Sequence, residues 1–347
     1  MYMAYSQVNT PPRSHVKGRS FRADVAVMRV LLVCLLVVYH SFAPFSGQWD
    51  AIPGAEKLPA YSLIAETTYS FFLEAFVFIS GLLLGGRDSK KALRTESADF
   101  LLHKLKRLII PSIIFSIIYF ISFYSWKGVN HFSYTVLNGC GHLWFLPMLF
   151  WLFVGMWLLA KVNIHPYWLF AMAVGGVLLS NSAMPLRIGS AMYYFLFFIL
   201  GFYAERGLVK KLFEPSARII AGFAIGFFTT FITARHMPGP DSVTHIILGN
   251  GVRAVYAFCG MMFSWLIIVR CVPIDAKLPK WVITIANYSF GIYIMQQFIL
   301  KWLYYFTPLP SAIDYILVPW IGVVVAIAIS WLITHLLYQI KIGKYLF

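Results

Sequence analysis

Long apolar runs, broken by short polar clusters, set the pattern of this chain. Ten of them have the length of about 16 to 21 residues that a helix needs to cross about 30 Å of hydrocarbon. They extend from Val30 to Trp49, Thr67 to Gly86, Leu108 to Trp126, Leu143 to Ala160 and Pro166 to Leu186, then from Ile188 to Ala204, Ile219 to Ala234, Ala254 to Val269, Trp281 to Leu300 and Tyr315 to Thr334. The fifth and sixth are separated by little more than Arg187. The pattern predicts an all-α integral membrane protein of about ten transmembrane helices. An even count places both termini on one side. No heptad, short repeat or visible duplication of the two halves interrupts the pattern. The simplest organisation is one membrane domain over residues 25–340, with an N-terminal segment 1–24 and a short tail 341–347 outside it.

Composition agrees with this reading and removes others. Of 347 residues, 60% are hydrophobic and 12% charged, where a soluble domain carries about 25% charged residues. A soluble enzyme or a disordered chain is excluded, because neither can hide so much apolar surface. The formal net charge of +15 would point to nucleic acid in a soluble protein. Here the basic residues fall mostly in alternate inter-run segments, such as Arg13 to Arg22, Arg87 to Arg107, Arg206 to Arg218 and Lys341 to Lys344. The positive-inside rule then puts both termini in the cytoplasm and accounts for most of the charge without nucleic acid. The basic N-terminus before the first run is read as leading into an uncleaved span, since the run is too long for a secretory signal. Trp49, Trp126, Tyr167, Trp168 and Trp281 at the run edges fit interfacial anchoring. Cys34, Cys140, Cys259 and Cys271 show neither a C-x-x-C pair nor a disulfide framework, and no metal site is expected.

A few ionisable residues inside or beside these runs are the candidates for chemistry. Arg29 and His40 lie in or at the edge of the first run, eleven residues apart. On an α-helix that spacing is about 20° past three full turns with a rise of about 16 Å, so the two share a face. A cation that grips an anionic or carbonyl group, with a deeper imidazole that exchanges a proton, fits that arrangement. The spacing equally fits a snorkelling arginine and a hydrogen-bonded histidine. Glu74 in the second run either faces a polar cavity, where it orients His40 or meets a hydroxyl, or pairs with an unknown basic residue. His142, at the outer border of the fourth run, either meets a substrate or makes an interfacial hydrogen bond. No Walker loop, dinucleotide fingerprint, G-x-S-x-G elbow or H-E-x-x-H motif occurs, which argues against an ATPase, a Rossmann enzyme, an α/β-hydrolase or a zincin.

The Arg29–His40 stretch resembles the first span of acyltransferase family 3, in which an arginine, ten residues and a histidine recur. Members of that family are integral-membrane acyltransferases that modify bacterial surface polysaccharides and other extracytoplasmic acceptors. Further stretches resemble it in order: FVFISGLLL (Phe76 to Leu84, with Ser80), FLLHKLKRLIIP (Phe100 to Pro111, with Lys104 and Arg107), GHLWFLPMLF (Gly141 to Phe150, with His142 and Trp144) and SFGIYIMQQ (Ser289 to Gln297, with Tyr293 and Gln296). Together the matches reach across about the first 300 residues. The resemblance implies transfer of an acyl group, acetyl as the expected one, from acetyl-CoA or another acyl-CoA to a hydroxyl of a sugar or glycolipid at the bacterial inner membrane, with no bound cofactor. It implies His40 and Arg29 as catalytic residues and Arg29, Lys104, Arg107 and Ser80 toward the donor. Glu74, His142, Trp144, Tyr293 and Gln296 are implied toward the acceptor or in support. Two positions depart from the family pattern: Ala26 stands where an aspartate is common, the nearest acid being Asp24, and Gln296 where a histidine is common. A transporter or lipid-linked sugar flippase that uses Arg29, Glu74 and His40 as a substrate or proton path is the alternative. A catalytically silent membrane subunit is a third reading.

Overall fold

Each of the ten apolar runs becomes a helix in the computed structural model, which describes residues 22–52, 58–86, 99–125, 131–162, 164–180, 184–208, 210–237, 242–340 and 343. In chain order these helices are α1 (Ala23–Ser46), α2 (Pro59–Gly85), α3 (Asp99–Tyr124), α4 (Gly141–Lys161), α5 (Pro166–Leu178), α6 (Pro185–Glu205), α7 (Ala217–Arg235), α8 (Val243–Cys271), α9 (Lys280–Tyr305) and α10 (Val318–Gln339). No strand occurs among the described residues. Eight of the helices are long and apolar enough to cross a membrane, so the chain has an all-α, multi-pass membrane architecture. The other two are α5, with only 13 residues, and α9, whose 26 residues include the polar Asn287, Gln296 and Gln297. Residues 1–21, the basic run with Arg87, Lys90, Lys91 and Arg94, Trp126, and the tail bearing Lys341 and Lys344 lie outside the described residues.

Successive helices alternate in direction, and polar contacts tie each end of the bundle. At the end where α1 begins, the Ala23 N–H donates to Ile274 O at 2.9 Å, Arg22 pairs with Asp24 at 2.6 Å and with Glu205, and Arg270 donates to Pro215 O at 2.8 Å. Asp24 is thus engaged by Arg22, and its Oδ1 also accepts from the Val25 N–H at 2.8 Å. At the opposite end, the Tyr61 hydroxyl donates to Ile316 O at 2.8 Å, Tyr305 to Asp50 O at 2.6 Å and Arg187 Nε to Asn138 O at 3.0 Å.

The first helix is packed on two sides. Val25, Met28, Leu32 and Leu36, three or four residues apart, enter the larger core with α2, α3, α4, α6 and α8. Val33, Val37, Phe42 and Phe45 enter a smaller core with α9 and α10. Buried in this way, α1 is a fixed rod on which any chemical group is held in register with both halves of the protein.

Three elements differ from the simple pattern. The second helix starts at Pro59 and breaks after the polar run Glu66 to Ser70, with Phe71 at φ −148°, so its second half, Phe72–Gly85, begins at the level of Glu74. The fifth ends at Leu178, eight residues short of the apolar run, where Asn250 Nδ2 of α8 donates to Ser180 O at 3.2 Å. Leu186 and Arg187 then adopt φ of 56° and 62°, a left-handed pair that turns the chain into α6.

The tightest contact in the bundle joins α2 to α6. A Cβ on Gly81 would strike the Phe198 carbonyl, and one on Gly201 would strike that of Phe78, so bare glycines let the two backbones touch. Gly201→Val should therefore lower stability by about 1–3 kcal/mol, read as unfolding in detergent. Gly175→Ala, whose Cβ would meet no atom within 4 Å, should not lower it.

Candidate active site

The polar interior residues converge on a cavity of about 510 Å³ at the end of the bundle opposite the start of α1. Helix α1 contributes Tyr39 and His40, the segment after it Trp49 and Asp50, α2 Tyr69, α3 Tyr119 and Tyr124, α4 His142 and Trp144, and α9 Tyr293, Gln297 and Lys301.

His40 is 6% exposed and forms part of the wall. Its ring stacks on Trp49 with centroids 5.7 Å apart and meets the His142 ring at 5.9 Å in an edge-on arrangement. Nδ1 is buried and has no hydrogen-bond partner. The helix around it is held by neighbours. Ser41 Oγ donates to Pro319 O at 2.5 Å and lies 2.6 Å from the Tyr304 hydroxyl, which donates to Ser41 O at 3.1 Å. Pro44, inside the last turn of α1, has no N–H to give the His40 carbonyl four residues back. The helix hydrogen-bond ladder is therefore interrupted at the residue that bears the imidazole.

A second grip holds His142. It lies in the tight turn that opens α4, and α9 reaches it with side chains one helical turn apart. The Tyr293 hydroxyl donates to His142 O at 2.6 Å, and Gln297 Oε1 accepts the His142 backbone N–H at 3.0 Å. The same Oε1 lies 2.6 Å from His142 Nδ1, while Nε2 lies 3.0 Å from Ile294 O. Both ring nitrogens of His142 thus face protein oxygens, whereas His40 Nδ1 has no partner. Gly141, just before it, has φ 54°, and a Cβ there would meet Gln297 Oε1 and the Tyr119 ring.

Lys301 continues the α9 stripe. Its ammonium lies 5.3 Å from the ring centroids of both Trp49 and Tyr119 and within 5.8 Å of those of Phe123 and Tyr124. A cation over several ring faces is stabilised by their quadrupoles, and here it supplies positive charge at the cavity wall.

Glu74 does not line the cavity. It is fully buried at the start of the second half of α2, 3.6 Å from Arg253 of α8. Arg253 also donates to the Tyr194 hydroxyl at 3.2 Å, and its guanidinium lies 4.7 Å from the Tyr193 ring centroid. It reaches to within 5.9 Å of the Tyr69 ring, which stacks on Tyr39 at 4.6 Å in the cavity wall. The ion pair thus backs the aromatic wall of the cavity.

Of the residues singled out from sequence, the cavity gathers His40, His142, Trp144 and Tyr293. Gln296 is buried beside His40, and Glu74 lies behind the wall. Arg29, Lys104, Arg107 and Ser80 do not line it. Lys104 sits over the Phe153 ring at 3.7 Å, Arg107 is exposed, and Ser80 Oγ donates to Phe76 O at 2.9 Å within its own helix. Of the expected interfacial aromatics, Tyr167, Trp168 and Trp281 are exposed, whereas Trp49 turns inward onto His40. Gln297, Lys301, Tyr119 and Arg253 escaped the sequence reading. The four-residue spacing of Tyr293, Gln297 and Lys301 is a signal that would have found two of them.

Two substitutions test this construction. Gly141→Ala should destabilise the α4 turn by about 1–3 kcal/mol, through left-handed strain and the clash with Gln297, and should enlarge or scramble the cavity as read by probe binding and thermal unfolding. Arg253→Leu should lower stability by about 2–3 kcal/mol, toward the low side for a broken pair because Arg253 is partly exposed. Adding Glu74→Gln to Arg253→Leu should restore part of that loss, since no buried carboxylate is then left without its counter-charge.

Comparison with known families bears on what such a site is for. The acyltransferase-domain model of acyltransferase family 3 matches residues 22–335, nearly the whole chain and every helix that lines the cavity. Neither the curated proteins nor the solved structures compared with it gave a match. On the extent of that family match, the chain belongs to acyltransferase family 3, a membrane acyltransferase by its family and its helices.

Proposed function

We propose that this protein transfers an acyl group, acetyl as the expected one, from a cytoplasmic acyl-CoA to a hydroxyl of a cell-surface sugar or polysaccharide precursor. In this reading the ten helices all cross the bacterial inner membrane, with both termini in the cytoplasm. The distribution of basic residues supports that orientation, and the family supports acyl transfer. The observation that carries the reading is His40: a buried imidazole in the wall of a polar, aromatic cavity at the end remote from Arg29.

His40 Nε2 takes the proton of the acceptor hydroxyl as its oxygen attacks the thioester carbonyl carbon. The tetrahedral intermediate collapses with cleavage of the carbon–sulfur bond. The thiolate leaves and takes up a proton, which His40 returns, giving ester and free thiol. Covalent passage of the acyl group through His40 remains the second form of the same chemistry. Arg29, with Lys104 and Arg107, holds the charged end of the donor. Along α1, Arg29 stands about 16 Å from His40, so the donor's arm has to run beside this helix for its thioester to reach the imidazole. Lys301 supplies positive charge near the developing oxyanion, and the packed helices keep water from the thioester. The aromatic wall of Tyr39, Tyr69, Trp49 and Trp144 suits the apolar face of a sugar ring.

The test compares wild type with His40→Ala, both purified in nanodiscs and shown to fold, for transfer of label from acetyl-CoA to a membrane glycolipid extract. Transfer should fall at least about a hundredfold in the variant. Equal transfer by both proteins would remove His40 from the chemistry. Silence of both, with several donors, would reassign the chain to transport.

A further inference from the structure

Three buried polar atoms on two neighbouring side chains lack partners: His40 Nδ1 and both amide atoms of Gln296. Gln296 is completely buried on α9 and lies within interaction distance of the His40 ring, and neither of its amide atoms makes a hydrogen bond. An unmet buried donor or acceptor costs about 1–3 kcal/mol, so such a cluster is unstable unless its members satisfy one another or a ligand. The next residue shows how this helix treats an imidazole. Gln297 points its Oε1 at Nδ1 of His142 from 2.6 Å. Consecutive residues on a helix project about 100° apart, so the pair Gln296–Gln297 offers one amide to each of the two histidines, whose rings are 5.9 Å from one another.

We propose that Gln296 is a positioning residue: its Oε1 accepts a hydrogen bond from His40 Nδ1–H and fixes the neutral imidazole in the tautomer whose bare Nε2 faces the cavity. The opposite pairing, with Gln296 Nε2 donating to Nδ1, would leave the proton on Nε2 and make His40 a donor toward the cavity, unable to accept a hydroxyl proton. Nδ1–H bonded to a carbonyl oxygen is a common way for a histidine base to be held. An amide suits this place because it orients the ring without carrying a charge into an apolar interior. The catalytic consequence rests on the proposed acyl transfer, but the tautomer does not.

Two readouts keep the inference separate from that reading. Nitrogen NMR of histidine-labelled protein in nanodiscs, with the His40 signals assigned by their loss in His40→Ala, should show the proton on Nδ1 in wild type. In Gln296→Met, which keeps the bulk and removes the polar atoms, that preference should be lost while thermal unfolding shows a folded protein. In the transfer assay, Gln296→Met should lower kcat about a hundredfold with KM unchanged, and Gln296→Glu, which keeps an oxygen at the same reach, should recover much of it. A proton on Nε2 in wild type, or a tautomer and kcat untouched by Gln296→Met, would overturn the inference. A wild type with the expected tautomer and no transfer activity would overturn the acyltransferase reading alone.

Discussion

Inside an apolar bundle that water does not fill, a buried polar group needs a protein partner or a cavity, and this constraint arranges the half of the molecule in which α1 ends. Glu74 is buried because Arg253 comes to it from α8. Ser41, Tyr304 and the Pro319 carbonyl satisfy one another where α1, α9 and α10 meet. The His142 turn is held by Tyr293 and Gln297. Each cluster also joins helices distant in sequence, so satisfying polar atoms and fixing the cavity walls are one process.

The two histidines show how that constraint separates roles. They are alike in burial and share one cavity wall, yet one has both ring nitrogens against protein oxygens while the other has a buried Nδ1 without a partner. A histidine tied on both sides is an element of architecture and a source of fixed dipoles. One in the cavity wall without both ties can exchange a proton with what enters the cavity. The imidazole that the family-like motif singles out is thus also the one whose Nδ1 has no protein partner. Along α1, Arg29 lies toward the end where the helix begins, and His40 toward the aromatic cavity.

The glycines and prolines act on the backbone that carries these groups. Gly81 and Gly201 let α2 and α6 touch, which brings the Tyr193–Tyr194 pair of α6 up to the Glu74–Arg253 pair. Pro44 interrupts the ladder at His40, and the polar stretch before Phe71 lets α2 start anew at Glu74. Side chains and backbone breaks thus act at the same depth of the bundle, and the cavity lies there.

Much of this was legible in the chain itself. The apolar runs located ten helices, eight of them long and apolar enough to cross a membrane, because a segment facing lipid must be apolar over the full thickness, a demand that each of those eight meets locally. The Arg29–His40 spacing and the family-like stretches marked helices that line the cavity, since both are properties of short contiguous sequence. Run length did not reveal that α5 stops early or that α2 breaks, because those ends depend on Asn250 of another helix and on a local polar run. Nor could the sequence say that Glu74 meets Arg253, that Trp49 leaves the interface to stack on His40, or that Gln297 and Lys301 share the cavity with them. These pairings join residues far apart along the chain. Which of many possible partners a buried charge or amide finds is decided by the packing of helices against one another, and only the tertiary structure contains that information.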